Sequence, residues 1–384
     1  MKEAKGAVTK LADDPTVVQR IFDHIDKETT DLGVSTWREP IENYLSEERF
    51  FVERNEVLRR YPIAFCPSAA LAAPGAYVAR DAAGVPIVAV RGSDGEVRAF
   101  RNACRHRGTQ LVEGAGCKKA FVCRYHGWTY GLDGELRHVP HENGFPGLDK
   151  STRGLVAVET VEARGLVFVT QETPPLLDAA LDELPPLVEQ GYRLIDTVDG
   201  VVPANWKVLV EGFLEGYHIR STHSGTFYPV QYDNLNVVET FGRNSRLAFP
   251  FRAVEKLRSV PPAERSADGK LTYVYHLFPN VMVATFPGRR FVVVIEPLTT
   301  DRTRLVTYQL SDRDEDDVEA QSLLKRGGEL IDAGATEDRD VACAIQRGLA
   351  TGANDFFEFG LFEAAIGHFH RNLQAAIDDA AAVL

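Results

Sequence analysis

Cys104-Arg-His106-Arg-Gly108 and Cys123-Arg-Tyr-His126-Gly-Trp128 each pair a cysteine with a histidine within a short loop-like segment. Together the two segments supply two thiolates and two imidazoles. Soft thiolate ligands suit iron–sulfur chemistry, and a two-iron cluster can take both cysteines on one iron and both histidines on the other. Neutral imidazoles in place of two thiolates raise the reduction potential of such a cluster. The stretch therefore predicts a centre that accepts and passes on single electrons.

The same four donors also suit a structural zinc site, because two cysteines and two histidines can bind zinc tetrahedrally. The flanking residues favour iron, since both segments resemble the two loops that hold a Rieske [2Fe–2S] cluster. Glycines allow loop backbone to approach the sulfurs, and Trp128 can shield them from water. Neither loop has an extra cysteine, because Gly108-Thr109 and Tyr125 stand at the expected places. The resemblance is thus to the oxygenase branch of Rieske proteins.

Length and composition limit the class of protein. With 384 residues, 44% of them hydrophobic, the chain can form two domains. A formal net charge of −12 argues against nucleic acid as a partner, since capture of phosphates needs basic stripes and the sequence shows none. Three cysteines besides the proposed ligands show no paired spacing, which predicts reduced thiols. No apolar leader or long apolar run occurs, so we expect a cytoplasmic protein without a membrane span.

The residue pattern changes along the chain and divides it into three segments. Residues 1–58 are charged and helix-like, and we expect them to pack on the catalytic domain. Residues 59–175 contain short β-rich runs between turn signals, which predicts an all-β module carrying the cluster on two loops. Residues 176–384 combine β-rich runs with helices, which predicts a catalytic domain with an antiparallel sheet covered by helices. The expected fold class is therefore α+β.

A second candidate metal site lies between Glu211 and His223. This segment places His218 and His223 five residues apart, close to carboxylates. Two imidazoles and one carboxylate on one face of Fe(II) leave positions open for oxygen. On an ideal helix the two histidines would lie ~140° apart. We therefore predict that the helix distorts or ends between them, so that both rings can face one metal ion.

The order of these motifs, with Asn205-Trp-Lys207 ahead of Glu215-x2-His218-x4-His223, resembles the α subunit of the Rieske non-haem iron oxygenases, the aromatic-ring-hydroxylating family. The resemblance spans nearly the whole chain. It implies a helix-grip, START-like catalytic domain, a [2Fe–2S] cluster on Cys104, His106, Cys123 and His126, and a mononuclear Fe(II) on His218 and His223. The family's third iron ligand corresponds to Asp338, with Asp340 and Asp355 as alternatives.

The resemblance also implies a route for electrons. In the family, a carboxylate before the first iron histidine bridges to a cluster histidine of the neighbouring subunit in a trimer. In this chain, the resemblance implies a path from His126 of one subunit to Glu215 of the next and then to His218 of that second subunit. Glu211 is an alternative bridge. Most members have aspartate at this position. In having glutamate there, this chain resembles the branch of the family that acts on carnitine-like quaternary amines. Gly212 stands where many ring dihydroxylases have asparagine.

The implied function is the terminal oxygenase component of a multicomponent system. A reductase or ferredoxin would supply electrons, and O₂ would be used to hydroxylate, dihydroxylate or demethylate a small aromatic or heterocyclic substrate, as in aromatic hydrocarbon catabolism. Two alternatives stay open, a quaternary-amine oxygenase and a Rieske electron carrier without oxygenase activity. Aromatic side chains near the iron motif are candidate pocket walls, namely Phe213, Tyr217, Phe227, Tyr228 and Tyr232.

Overall fold

The computed structural model describes residues 11–172, 185–313 and 316–381. Within these ranges the chain forms two compact units. One unit contains residues 11–57 and the described residues from 194 onwards, and the other contains residues 58–172 and 185–193. The polypeptide thus leaves the first unit at residue 57, builds the second, and returns to the first at residue 194.

The elements are numbered in chain order. The helices of the described residues are α1 Asp14–Lys27, α2 Glu42–Leu45, α3 Glu47–Val52, α4 Trp206–Gly212, α5 Ile219–Thr222, α6 Val318–Leu349 and α7 Ala364–Ala381. The strands are β1 Trp37–Pro40, β2 Ile63–Pro67, β3 Ala76–Ala82, β4 Val85–Arg91, β5 Val97–Arg101, β6 Gly114–Cys117, β7 Phe121–Val122, β8 Thr129–Tyr130, β9 Leu136–His138, β10 Ala157–Ala163, β11 Leu166–Thr170, β12 Arg193–Val202, β13 Val237–Phe241, β14 Asn244–Pro250, β15 Leu271–Leu277, β16 Val281–Phe286, β17 Arg289–Thr299, β18 Arg302–Ser311 and β19 Phe356–Phe359.

The unit that starts at residue 58 is built from strands. Seven of them form a sheet in the order β2-β11-β10-β5-β4-β3-β6, and β7, β8 and β9 form a small three-stranded sheet. Their runs of valine, isoleucine and aromatic residues favour strands because branched and aromatic side chains pack well on a pleated surface. One candidate metal-binding loop joins β5 to β6, and the other joins β7 to β8. Phe121, Trp128 and Tyr130 are buried in the core beneath them.

The other unit is centred on a seven-stranded sheet in the order β12-β18-β17-β16-β15-β14-β13. The pairings from β13 to β18 are antiparallel. Helix α4 packs against β17 and α6, and α7 packs near β13. An antiparallel sheet with helices on it is the predicted α+β class, which the fold confirms. Within the described residues, no helix has the length and apolar character needed to cross a membrane.

The N-terminal segment is more than the helical lead-in expected from the sequence. Strand β1 pairs with β19, joining Trp37 to Phe359 and Pro40 to Phe356 in register. The Glu53 carboxylate accepts hydrogen bonds from the Lys207 ammonium at 2.8 Å and from the Trp206 indole at 3.0 Å, all three side chains being buried. A buried lysine is tolerated because it is paired and hydrogen-bonded. The alternation of Trp-Arg-Glu-Pro was too short to reveal a strand.

Candidate metal centres

The first site is formed by two loops with the same backbone turn. In each loop the glycine four residues after the cysteine donates its N–H to the cysteine carbonyl at 2.9 Å, Gly108 to Cys104 and Gly127 to Cys123. Both glycines have positive φ, +75° and +74°, a backbone region that favours glycine. The sequence therefore needs glycine at these positions to fold each loop around its cysteine.

The four predicted donors lie on these loops as two pairs, the cysteines near each other and the histidines near each other. The thiols of Cys104 and Cys123 are close enough to hydrogen-bond, and both are buried. The rings of His106 and His126 lie 4.7 Å apart between centroids. His106 stacks on Trp128 at 4.8 Å, which fixes the plane of that imidazole. The side of the site formed by His126 is exposed to solvent.

The electrostatics of the two cysteines differ. Burial raises the pKa of the Cys104 thiol. Burial also opposes ionisation of Cys123, but the backbone N–H groups of Tyr125 and His126 and a hydrogen bond from Cys104 outweigh it and lower the pKa of Cys123. Two thiol groups and two imidazoles with converging faces fit the mixed ligand set of a [2Fe–2S] cluster, because each iron would receive one chemically uniform pair.

The second site depends on a break in the helix that starts at Asn205. Helix α4 ends at Gly212, and the single turn α5 runs from Ile219 to Thr222, with His218 at its N-terminal cap and His223 at its C-terminal cap. The break therefore lies before His218, and the backbone between the two histidines is one helical turn, in which the Thr222 N–H donates to the His218 carbonyl and the His223 N–H to the Ile219 carbonyl. The predicted break between the histidines is wrong, because the turn ends only at His223 and its two ends already let the rings approach each other. Their ring centroids are 5.0 Å apart.

Asp338 on α6 completes the cluster. Its Oδ1 lies 3.0 Å from His223 Nε2 and 3.6 Å from His218 Nε2, and one ligand atom from each of the three residues lies within 4.8 Å of the others. Asp340 is exposed, and the backbone carbonyl of Asp355 accepts a hydrogen bond from Ile41 instead. The structure thus brings the predicted triad together, and among the described residues neither alternative aspartate is seen to contact the histidines.

Each iron-site imidazole has its own carboxylate on the other ring nitrogen. Nδ1 of His218 hydrogen-bonds Glu215, whose carboxylate also accepts the backbone N–H groups of Tyr217 and His218. Nδ1 of His223 hydrogen-bonds Glu337 Oε2 at 2.8 Å, and Thr226 Oγ1 donates to the same oxygen at 2.6 Å. Such partners fix the tautomer, leaving Nε2 free to bind a metal. Glu337 and Thr226 were not predicted from the sequence.

Negative charge dominates this site. Burial alone would lower the pKa of His218, but the hydrogen bond and charge of Glu215 outweigh burial and raise it. In the same way, burial would lower the pKa of His223, and Asp338 outweighs it and raises that pKa. Hydrogen bonds from Thr226 and His223 lower the pKa of Glu337. Carboxylates that raise the pKa of a histidine favour any positive charge placed there, so the donor set and its field fit a divalent cation.

Glu211, the alternative bridging carboxylate, belongs to a different network. Its Oε1 accepts the Tyr44 hydroxyl at 2.6 Å and lies 2.8 Å from His370 Nε2. The opposite nitrogen of His370 faces Glu39 at 3.4 Å. Burial and the neighbouring Glu211 raise the pKa of Tyr44 well above its ordinary value. Glu211 therefore supports the packing of α4 against α2 and α7, while Glu215 alone of the two contacts an iron-site histidine.

Of the predicted pocket walls, Phe227 packs against a histidine of the triad. Its ring centroid is 4.9 Å from that of His223, and it lines a cavity of about 790 Å³. Phe213, Tyr217 and Tyr228 are not among the described lining residues of that cavity. Tyr217 is exposed and packs on Phe362, and the arginines Arg220 and Arg252 cover Tyr228.

Comparison with known proteins agrees with both sites. The family model of the ring-hydroxylating alpha subunit catalytic domain matches residues 183–379, and that of the Rieske [2Fe-2S] domain matches residues 62–158. The oxygenase subunit of carnitine monooxygenase from Escherichia coli K12 is 29% identical over 373 residues, 89% of this chain and 94% of its own length. The large oxygenase component of the naphthalene 1,2-dioxygenase system from Pseudomonas putida is 38% identical over 193 residues, 47% of this chain and 43% of its own.

The solved structures give the same picture of the fold. A quaternary ammonium Rieske monooxygenase, studied for carnitine oxidation and inter-subunit electron transfer, superposes with a TM-score of 0.77 at 23% identity, covering 96% of this chain and all of that one. At this identity the likeness establishes the shared fold.

Proposed function

The chain belongs to the ring-hydroxylating Rieske non-haem iron oxygenase α subunits, and from this premise we propose which residues hold its metals and how its two centres communicate. As a member of this family it is the terminal, O₂-dependent oxygenase component, with a Rieske [2Fe–2S] cluster and a mononuclear non-haem iron. When bound, the cluster supplies single electrons and the mononuclear iron supplies oxygen activation.

We assign the cluster to Cys104 and Cys123 on one iron and to His106 and His126 on the other. The assignment is supported by the paired loops and by the 4.7 Å separation of the two imidazoles. We assign the mononuclear iron to His218, His223 and Asp338. The single observation that carries this second assignment is the convergence of their ligand atoms within 4.8 Å of one another.

The chain's own residues prepare the iron site in defined ways. Glu215 accepts the Nδ1 proton of His218 and Glu337 accepts that of His223, so both rings turn Nε2 toward Asp338, where these atoms would bind the metal. The ring of Phe227 covers one side of His223 and restricts the access of water. Asp338, at 42% side-chain exposure, lies on the accessible side of the site.

Electrons are proposed to pass between subunits of a homotrimer. His126 is exposed on one chain, and Glu215 on the catalytic unit is the carboxylate already bonded to an iron histidine. A bridge from His126 of one subunit through Glu215 of the next to His218 would use both. The proposal is supported by the inter-subunit electron transfer studied in a protein of the same fold. A reductase or ferredoxin would reduce the cluster in the cytoplasm.

The proposed substrate is a small organic molecule that is hydroxylated, dihydroxylated or demethylated. Similarity to carnitine monooxygenase subunits extends over most of the chain and keeps the quaternary-amine alternative open, whereas the higher identity to naphthalene dioxygenase covers about half of it. A stand-alone electron carrier would not need the second ligand set. Oxygen-dependent turnover of aromatic acids, N-heterocycles and quaternary amines would choose between the substrate classes.

Iron counting in a matched pair of variants tests the ligand assignment. The wild-type protein purified without oxygen should hold about three irons per chain, two in the cluster and one mononuclear, with a rhombic EPR signal after reduction. Asp338→Ala should lose one iron and all turnover but keep that signal. Asp340→Asn removes an exposed acid nearby and should behave as wild type. Full iron content and turnover in Asp338→Ala would refute the assignment.

A further inference from the structure

The cavity beside Phe227 is lined by side chains whose charge does not suit a quaternary-amine substrate. It is bounded by the segment after His223, by the turn between β16 and β17, and by the N-terminal half of α6. Its volume of about 790 Å³ is in the range of sites that bind small organic molecules. Most of its described lining is apolar, including Phe251, Phe286, Leu324 and Ile331.

The charged residues on the cavity wall are mainly cationic. Three arginines line it, Arg252, Arg289 and Arg313, against one carboxylate among the described lining residues, Asp317. Arg252 is exposed and stacks over Tyr228 and Tyr232, at 5.5 and 5.2 Å from their ring centroids. Arg313 is also exposed and lies 3.5 Å from Asp312. Both guanidinium groups are therefore open to water and screened by it.

Arg289 differs from these two. It is half-buried, and its Nε atom is buried without a hydrogen-bond partner. Its guanidinium packs against α6 where Gly328 has no side chain; a Cβ atom there would lie 2.8 Å from Nη1. Burial lowers its pKa more than the exposed Asp332 raises it. A buried N–H group of an arginine without an acceptor is costly, so an acceptor from outside the chain would be bound favourably.

The same helix connects this arginine to the iron ligands. Gly328 contacts Arg289, Gly334 contacts Phe227, and Asp338 binds the histidines. The ten residues from Gly328 to Asp338 rise ~15 Å along α6. Gly327 and Gly334 leave the intervening face of the helix without side-chain bulk. An elongated, flat molecule with one end at Arg289 would therefore lie along this face toward the wall that Phe227 shares with the iron site.

We propose that this cavity binds the substrate as an organic anion, a carboxylate or sulfonate on an apolar body, with Arg289 as its counter-ion. The inference rests on the proposed function in taking the cavity beside the triad as the substrate pocket. A guanidinium fork matches a carboxylate with two parallel hydrogen bonds, which also fixes the direction of the bound molecule. The substrate end away from the charge is thereby directed toward Phe227, whose ring packs against His223.

Binding of three ligands that share a body and differ in charge tests this proposal. Isothermal titration calorimetry of the oxidised holoenzyme, without oxygen or reductant, would compare 2-naphthoate, 2-naphthamide and trimethyl(2-naphthyl)ammonium. We expect naphthoate to bind at least about tenfold more tightly than the amide and the cation, and salt to weaken only naphthoate binding. Equal affinities, tighter binding of the cation, or no naphthoate binding at millimolar concentration would overturn the proposal.

Variants separate the role of Arg289 from the general charge of the cavity. Arg289→Gln should weaken naphthoate binding about ten- to a hundredfold and leave the amide unchanged, and Arg289→Lys should restore part of the loss. Arg313→Gln removes a positive charge from the same cavity and should change the affinity less than about threefold. Equal losses in the two glutamine variants would refute the assignment of Arg289, and an unchanged melting temperature would show that each variant is folded. Because no turnover is measured, these results stand whether or not the iron-ligand assignment holds.

Discussion

At the scale of single residues, Tyr130 links the cluster loop to the core of its domain. Its hydroxyl accepts the Arg105 backbone N–H at 2.9 Å, which leaves its own hydrogen to point at Cys104 Sγ, 3.3 Å away. A donor to a cluster sulfur stabilises the more negative, reduced state. The hydroxyl should therefore raise the reduction potential of the cluster.

Tyr130→Phe should lower that potential. A hydrogen bond worth about 1 kcal/mol more in the reduced state corresponds to a shift on the order of 40 mV for one electron. The measurement is a redox titration followed by EPR. Tyr125→Phe removes a hydroxyl that bonds Arg107 in the other loop, and should leave the potential nearly unchanged. Equal shifts in both variants would argue against a bond to the sulfur.

His276 gives a pH dependence of stability. It is fully buried, and burial, only partly opposed by its hydrogen bond to the Pro279 carbonyl, lowers its pKa to about 4. Above pH 6.5, the ordinary pKa of histidine in the unfolded chain, His276 is neutral in both the folded and the unfolded state. As the pH falls from 6.5 to 4, the unfolded chain binds a proton at His276 before the folded chain does. Native stability is therefore lost across that window, by about 3 kcal/mol in total.

Replacing His276 should flatten this profile. In His276→Gln the drop in melting temperature between pH 6.5 and pH 4 should be smaller than in the wild type, because one buried titrating group is gone. His138→Gln removes an exposed histidine and should leave the profile as it is. A wild-type slope in His276→Gln would contradict the role of this residue.

Individual ligands could be predicted from the sequence to different degrees. Cys104, His106, Cys123 and His126 could be proposed as ligands from the sequence because their donor types and spacing are rare. The role of Glu337 was not predicted, since adjacent residues on a helix point ~100° apart and only the ligand Asp338 was expected to face the histidines. In the structure both are used: the aspartate reaches Nε2 of His223, and the longer glutamate reaches Nδ1 of the same ring.

At the scale of elements, the position of the helix break was not predictable. The angle between two positions five apart on a regular helix placed the break between His218 and His223, whereas in the structure it lies before His218, and the two histidines stand at the ends of the single turn α5. The pairing of β1 with β19 was not predictable, because its register joins residues more than three hundred positions apart through a four-residue strand. Short edge strands are decided by distant partners rather than by their own composition.

Glycines on α6 provide an element-scale prediction. Gly334→Ala would place a methyl group 2.3 Å from Phe227 Cε2, so the ring must move, whereas Gly327→Ala meets nothing within 4 Å. Alanine favours a helix over glycine by about 1 kcal/mol. Gly327→Ala should therefore raise the melting temperature, and Gly334→Ala should lower it, since overpacking typically costs 1–3 kcal/mol. A gain in both variants would show that Phe227 adapts freely.

At the scale of the whole molecule, mixed assemblies test whether electrons cross between chains. His126→Ala should remove the cluster from one set of chains and Asp338→Ala the iron from another, and each homogeneous protein should be inactive. After the two are co-assembled, a head-to-tail trimer should recover about a quarter of wild-type turnover, the fraction of interfaces that join an intact cluster to an intact iron. Transfer within one chain predicts no recovery, and turnover per chain is the measurement.

The discontinuous path of the chain limits how the catalytic unit can be produced as a separate protein. A gene fragment starting near residue 194 would encode the seven-stranded sheet but would omit Glu53. The ammonium of Lys207 and the indole of Trp206 would then be buried without their hydrogen-bond acceptor. An uncompensated buried cation of this kind costs several kcal/mol. Excising residues 58–193 and joining residue 57 to residue 194 through a linker keeps that partner, and is the sounder design for a stand-alone catalytic unit.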